Sequence, residues 1–337
     1  MLSMIEKKKY FFCGIGGSGM AALAQLLHHR GHIVCGSDRF LDQGKETPLL
    51  KQLKEMGMKL FAQDGSGVDE TIDTFVASTA VEDTVPDVVK AKELKCHMQK
   101  RSNLLADIFN QYEKGIAVGG TSGKSTVTGM IGHILKELGK DPTVINGAMM
   151  VEGGSNFMDG RSDICVIEAD ESDGSIALYH PYISVLTNIT EDHKSLEELR
   201  SLFQDFVGRA QKGVVLNQDD AEAKALVNAN EKVTTFALQH NADIMGAELE
   251  LQLAIPGKHN MANALAAIAA VEMLGINRQD AAESLKSFKG IRRRLETIGT
   301  AKDITVIDDF AHNPDKISAT LATLKETRGR LWIMFNP

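Results

Sequence analysis

Two glycine-rich turns, GIGGSG at Gly14–Gly19 and GGTSGKST at Gly119–Thr126, each stand between a short apolar run and a helical pattern. A strand that feeds a helix through such a turn builds parallel sheet with right-handed crossovers. Two such turns predict an α/β chain with two sheet-based units, each carrying a cradle of backbone N–H groups suited to phosphate.

The rest of the pattern agrees. YFFCGIGG reads as a buried strand, SGMAALAQLLHHRG as a helix, HIVCGSD as a strand, PLLKQLKEMG as a helix and TFVAST as a strand. The polar NQYEKG marks a boundary. Beyond it GIAVGG, DICVIEADESD, YISVLTNIT and GVVLNQDD read as strands. Leu196, Leu199, Leu202, Phe203 and Phe206 fall at helical spacing, and HNMANALAAIAAVEMLG is an alanine-rich helix closed by glycine. After RRRLETIG the pattern restarts with strand ITVIDDF, helix PDKISATLATLKE and strand RLWIMFNP, which leaves Trp332, Ile333 and Phe335 near a raw sheet edge. The expected organisation is a Rossmann-like domain over 1–113, a central P-loop ATPase-type α/β domain over 114–296, and a truncated, partial Rossmann-like unit over 297–337.

A net charge of −8 argues against a nucleic-acid partner, because phosphate backbones demand a basic face. Arg292–Arg294 is too short a basic run to change that. Glycines interrupt the apolar stretch near the N-terminus, which predicts neither a signal peptide nor a membrane span and makes a cytoplasmic protein the default. Four cysteines stand far apart with no CxxC pair, as scattered thiols in a reducing compartment.

In the first turn, Gly14, Gly16 and Gly19 match G-x-G-x-x-G, and Asp38 lies about 20 residues on, at the end of the next strand, as a dinucleotide fingerprint requires. The pyrophosphate need not belong to NAD. Any nucleoside diphosphate presents the same group, with a ribose hydroxyl in reach of Asp38. The alternative is a tight turn without ligand.

The second turn fails the strict P-loop pattern, since Val118 stands where its first glycine belongs. The shorter G-x-x-G-K-S remains, as Gly120, Gly123, Lys124 and Ser125. Its mechanics persist: amides wrap phosphate, Lys124 supplies a point charge, and Ser125 reaches Mg2+. Two acidic clusters follow downstream strands, Glu168, Asp170, Glu171 and Asp173 in one, Asn188, Asp192 and His193 in the other. Ligands in open α/β sheets gather at carboxyl ends of strands, so Glu168 and His193 are candidate Mg2+ ligands. The alternative for each cluster is a solvated loop. His259, Asn260 and Asn263 open a helix, where Asn260 would serve as an ordinary cap. Arg294 is a candidate phosphate clamp, and Asp308, Asp309 and His312 crowd a strand end before Pro314.

GIGGSGM, GSD, GGTSGKST, EADESD, TNITEDH, PGKHNMANALAA, FKGIRRRLE and DDFAHNP, in this order, resemble the Mur ligase family of peptidoglycan synthesis. The resemblance implies an ATP- and Mg2+-dependent amide ligase that joins an amino acid, most simply L-alanine, to a UDP-N-acetylmuramate-type substrate through an acyl phosphate. It implies a UDP-sugar site at Gly14, Ile15, Gly16, Gly17, Ser18, Gly19, Asp38 and Ser78. It places ATP on Gly120, Thr121, Ser122, Gly123, Lys124, Ser125 and Thr126, with His259 and Asn263 toward adenine, Arg294 on the γ-phosphate and Asp309 on ribose. The metal falls to Ser125, Glu168 and His193, and the catalytic group to Lys124, His193, Arg294 and His312.

Departures from the family pattern accompany it. Ser122 stands where alanine-adding members carry histidine, Phe310 replaces a tyrosine, and DHKS replaces DHMD. The helix after His193 offers no lysine for carbamylation, as in the alanine-adding branch. The family's third domain is a lid of well over a hundred residues, and here it would stop near its second strand. A murein-peptide recycling ligase or a paralogue adding another amino acid shares most of these motifs. A nicotinamide oxidoreductase would use only the first turn, and a non-catalytic nucleotide-binding regulator would need no lid.

Overall fold

A computed structural model describes residues 6–192, 194–312, 314–326 and 329–335. The chain divides into two compact units. The first runs to Gln111 and includes Phe157–Asp159; the second holds Tyr112–Asn156 and the chain from Gly160 onward.

The first unit is a five-stranded parallel sheet in the order β3-β2-β1-β4-β5, with β1 Lys9–Cys13, β2 Ile33–Ser37, β3 Lys59–Phe61, β4 Thr74–Ala77 and β5 Met98–Lys100. Its middle strand buries Phe11, Phe12 and Cys13 completely, as a strand covered on both faces must. Phe11 stacks on Phe75 at 5.4 Å. The helix Ser18–His29 buries every residue from Met20 to Leu27, so it lies inside the unit rather than on its surface. Register sets Cys13 opposite both Ser37 and Ala77. The glycine turn, Asp38 and Ser78 therefore emerge at one edge of the sheet. The edge strands β3 and β5, three residues each and partly exposed, have no apolar run to announce them. The short strand β8, Phe157–Met158, is followed by Asp159, which accepts from Arg30 Nε at 2.9 Å and pairs with His29 at 2.7 Å.

In the second unit seven parallel strands run in the order β13-β12-β11-β10-β6-β9-β7. They are β6 Lys114–Gly119, β7 Thr143–Ile145, β9 Ile164–Glu168, β10 Ile183–Leu186, β11 Gly213–Asn217, β12 Val233–Ala237 and β13 Ile244–Met245. Val118 pairs in register with Glu168, and Gly119 with Leu186, so the segments after β6, β9 and β10 leave the sheet side by side. Helices Lys124–Glu137 and Lys258–Glu272 pack on each other. Helix Leu196–Gly208 starts with a capping box, in which Ser195 and Glu198 satisfy each other's backbone N–H.

The segment after Arg294 forms an antiparallel hairpin, β14 Glu296–Ala301 and β15 Ile304–Asp308, then the helix Pro314–Lys325. Lys302 and Asp303 both take positive φ, 49° and 60°, the two-residue turn that matches strand twist. The expected strand RLWIMFNP is not found: residues 330–335 have no strand partner, and Trp332 is 81 % and Met334 99 % exposed. Apolar composition makes a strand only beside a neighbour, and β15 already pairs with β14. Among the described residues no helix is long and apolar enough to cross a membrane.

Candidate functional site

In the second unit β6 ends at Gly119, the turn occupies 120–123, and the helix begins at Lys124. Gly120 and Gly123 adopt φ of 127° and 86°, where side-chain-bearing residues are strained. A β-carbon at Gly120 would collide with Thr187 Oγ1. The segment after β10 pins the turn. Thr187 Oγ1 donates to Ser122 O at 2.6 Å and Asn188 Nδ2 donates to the same oxygen at 3.0 Å. Asn188 Oδ1 accepts from Ser122 N at 2.9 Å and from Thr121 Oγ1 at 2.8 Å, and Thr190 N donates to Thr121 Oγ1 at 3.0 Å. Thr121 N also donates to Asn188 O, and just beyond the turn lies the helix's first turn, whose N–H groups suit an anion.

Two consecutive helix residues are each answered by a carboxylate from the β9 segment. Lys124 Nζ donates to Glu171 Oε2 and to Gly120 O, both at 2.7 Å. Ser125 Oγ donates to Glu168 Oε2 at 2.8 Å, and Gly147 N donates to the same oxygen at 3.0 Å. Burial pushes the Glu171 carboxyl above its ordinary value, and the Lys124 ammonium pulls it back. Ser125 and Glu168 thus stand together as hard oxygen donors, the set Mg2+ prefers beside phosphate oxygens. His193, the third expected metal ligand, lies outside the described residues. Among the described residues no cluster of three or more His, Cys, Asp or Glu forms a self-sufficient metal cage.

These groups open into a cavity of about 490 Å3 that also brings in His259, Asn263, Arg294, Asp309 and His312. That size suits a nucleotide. Asn260 is not the helix cap expected above. Gly257 holds that position, and Asn260 Nδ2 donates back to Pro256 O at 2.6 Å. His259 is driven below its ordinary pKa by burial, with Asp309 opposing. Asp309 accepts from Leu295 N at 2.8 Å, Ala311 N at 2.9 Å and Thr320 Oγ1 at 3.1 Å, so it ties hairpin and helix together while keeping acceptor capacity. Arg293 and Arg294 lie over the Phe310 ring at 4.8 and 5.2 Å. His312 Nδ1 is 3.0 Å from Phe310 O, which favours the tautomer with Nε2 as acceptor. The sequence did not single out Lys316, whose Nζ pairs with Asp192 Oδ2 at 3.0 Å on the cavity wall.

In the first unit the glycine turn satisfies most of its own amides. Gly14 N and Ile15 N both donate to Ser37 O at 2.9 Å, and Gly16 N donates to Asp38 Oδ2 at 2.9 Å. Asp38 Oδ1 accepts from Phe40 N at 3.0 Å, capping Arg39–Asp42. Asp38, expected at a ribose hydroxyl, is only 5 % exposed and first of all shapes the turn. At the helix start the Arg101 side chain packs alongside Gly19. Beneath the turn, buried Asp87 accepts from Ser37 Oγ and from Gly65 N, the latter at 2.8 Å.

Comparison with known proteins places this geometry. Residues 9–113 match the Mur ligase family catalytic domain, 118–271 the Mur ligase middle domain, and 293–336 the Mur ligase glutamate ligase domain. The UDP-N-acetylmuramate–L-alanine ligase of Persephonella marina is 38 % identical over 94 % of this chain and 72 % of its own length. That of Dictyoglomus turgidum is 35 % identical over 99 % and 76 %. The crystal structure of UDP-N-acetylmuramate–alanine ligase from Thermotoga maritima superposes with a TM-score of 0.83 at 31 % identity, covering 94 % of this chain and 77 % of that one. With three successive family domains along its length and relatives matched over nearly all of it, this chain belongs to the Mur ligase family.

Proposed function

We propose that the protein is an ATP-dependent amide ligase of peptidoglycan synthesis that joins L-alanine to UDP-N-acetylmuramate. The names of its relatives support the substrate pair. The observation that carries the reading is the pairing of Lys124 with Glu171 and Ser125 with Glu168 at the mouth of one cavity. ATP with Mg2+, when bound, supplies the phosphoryl group that activates the substrate carboxylate for attack by an amine.

The chain's own residues supply the rest. Amides of the helix's first turn and the Lys124 ammonium hold phosphate oxygens and offset the charge that develops there. Ser125 and Glu168 offer oxygen ligands to the metal, and His193 joins them in this proposal. Arg294 is positioned by Phe310 to approach the terminal phosphate. His312, with Nε2 as acceptor, is suited to take a proton from an incoming ammonium. His259 and Asn263 line the base end, and Asp309 retains acceptor capacity for ribose. In the first unit, the helix start at Ser18–Gly19 is assigned to the substrate's pyrophosphate. In this proposal the chain has three modules, 1–113, 114–296 and 297–337, and family matches over 9–113, 118–271 and 293–336 support three modules in that order. A cytoplasmic setting is part of the proposal, supported by four free cysteines.

Phosphate release measured with ATP, Mg2+, UDP-N-acetylmuramate and a panel of amino acids and a murein tripeptide tests the reading. Release that requires both the sugar acid and L-alanine supports it. Lys124→Ala should cost about 3 kcal/mol, roughly a hundredfold in rate. Release with the tripeptide alone would reassign the amine, and saturable NADH binding without any response to the UDP-sugar would defeat the proposal.

A further inference from the structure

We infer that Glu171 is a specificity-determining residue, a fixed negative charge that makes the glycine–lysine turn favour the metal complex of a triphosphate over the free anion. The inference rests on the proposed ATP site and concerns a residue to which that proposal gives no substrate role.

Lys124 has three N–H donors, and two of them already face protein oxygens, Glu171 Oε2 and Gly120 O. The pair is largely withdrawn from water, with side chains 12 % and 7 % exposed. Glu171 lines the same cavity as Lys124, Ser125 and Glu168. A phosphate tail drawn toward Lys124 therefore meets two carboxylates as well as one ammonium, in surroundings where charges are poorly screened.

The two carboxylates differ in what they can do about it. Glu168 accepts from Ser125 Oγ and Gly147 N, and in the proposed site its charge is answered by the divalent ion. Glu171 is committed to Lys124. Its charge stays beside the phosphates and opposes them. A free triphosphate carries about four negative charges and its metal complex about two, so the opposition falls more heavily on the free form. A purely structural Glu171, holding Lys124 in place, would act equally on both forms and in the opposite direction, because its loss would loosen the lysine.

The sign of the effect separates these roles. Calorimetric titration of the full chain with a non-hydrolysable ATP analogue, once with Mg2+ and once with EDTA, gives four constants for wild type and Glu171→Gln. The amide preserves size and a hydrogen bond to Lys124 while removing charge. We expect Glu171→Gln to bind the free analogue about five- to tenfold tighter than wild type and the metal complex only about two- to threefold tighter. The metal enhancement should shrink accordingly. Glu171→Asp, which keeps the charge, should retain a wild-type ratio, and tighter binding of the free analogue by Glu171→Gln itself excludes a folding defect in that variant. Weaker binding by Glu171→Gln in both conditions, or an unaltered metal enhancement, would overturn the inference while leaving the ATP site standing. Absence of binding by the wild-type chain in both conditions would remove the ATP site and this inference together.

Discussion

A β-carbon at Gly123 would lie 2.5 Å from Asn263 Oδ1, so the turn and the helix Lys258–Glu272 meet as closely as they do only because residue 123 has no side chain. Gly123 also sits at φ 86°. Gly123→Ala therefore combines backbone strain with a clash and should cost about 1–3 kcal/mol. The expected result is a lower melting temperature and an ATP-analogue affinity reduced tenfold or more. Adding Asn263→Ala should relieve the clash but not the strain. Full recovery in the double variant would show that the left-handed backbone carries no penalty here.

Lys316 and Asp192 join the C-terminal helix to the segment after β10 with side chains only 17 % and 12 % exposed. Removing one partner leaves the other poorly solvated, at a cost of about 1–3 kcal/mol. Lys316→Met should speed hydrogen exchange across the helix Pro314–Lys325 while leaving exchange in β1–β5 unchanged. The exchanged pair, Lys316→Asp with Asp192→Lys, should recover part of the protection. Uniform exchange rates in wild type and Lys316→Met would dismiss the pair as a contributor.

His259 is held neutral by burial, with a folded pKa below the ordinary 6.5. Between those two values the unfolded chain binds the extra proton, so stability is fully present above the unfolded pKa and is lost as pH falls through the window. Chemical denaturation from pH 7.5 down to pH 5 should show that decline. His259→Gln should flatten it, and parallel curves for the two proteins would rule out His259 as its source.

Cys13 lies fully buried beneath the first glycine turn, and burial together with Asp87 pushes its thiol to about 12; burial pushes Cys35 to about 11. At pH 8 roughly one Cys13 in ten thousand is thiolate. A short iodoacetamide pulse on native protein, read by peptide mass spectrometry, should label partly exposed Cys96 well before either. Early modification of Cys13 would mean that the turn opens readily.

The sequence made the interior strands and both turns legible, because Phe11–Cys13, Ile116–Val118 and Ile164–Ile167 are unbroken apolar runs flanked by glycine or acid. The helical spacing of Leu196, Leu199, Leu202, Phe203 and Phe206 marked its helix as plainly. The edge strands β3 and β5 escaped because a three-residue, half-wet strand leaves no periodicity. The hairpin β14–β15 escaped because Lys302–Asp303 makes a turn usually written with asparagine and glycine. Conversely, Leu331–Phe335 carries the composition of a strand without the neighbour that would make it one. At the site, residue types and strand ends picked out Lys124, Ser125 and Glu168. The pairing of Lys124 with Glu171, and of Lys316 with Asp192 across 124 positions, depends on which segments the sheet brings abreast. No spacing rule encodes that.

The first glycine turn is tied by Ser37 O and Asp38 before any guest reaches it. Its loss of freedom belongs to folding, so the association proposed there would resemble a key meeting a cut lock, with little reshaping on contact. Substitutions at Asp38 should therefore act by loosening the lock, slowing productive docking and hastening escape, even though the carboxylate itself points into the protein.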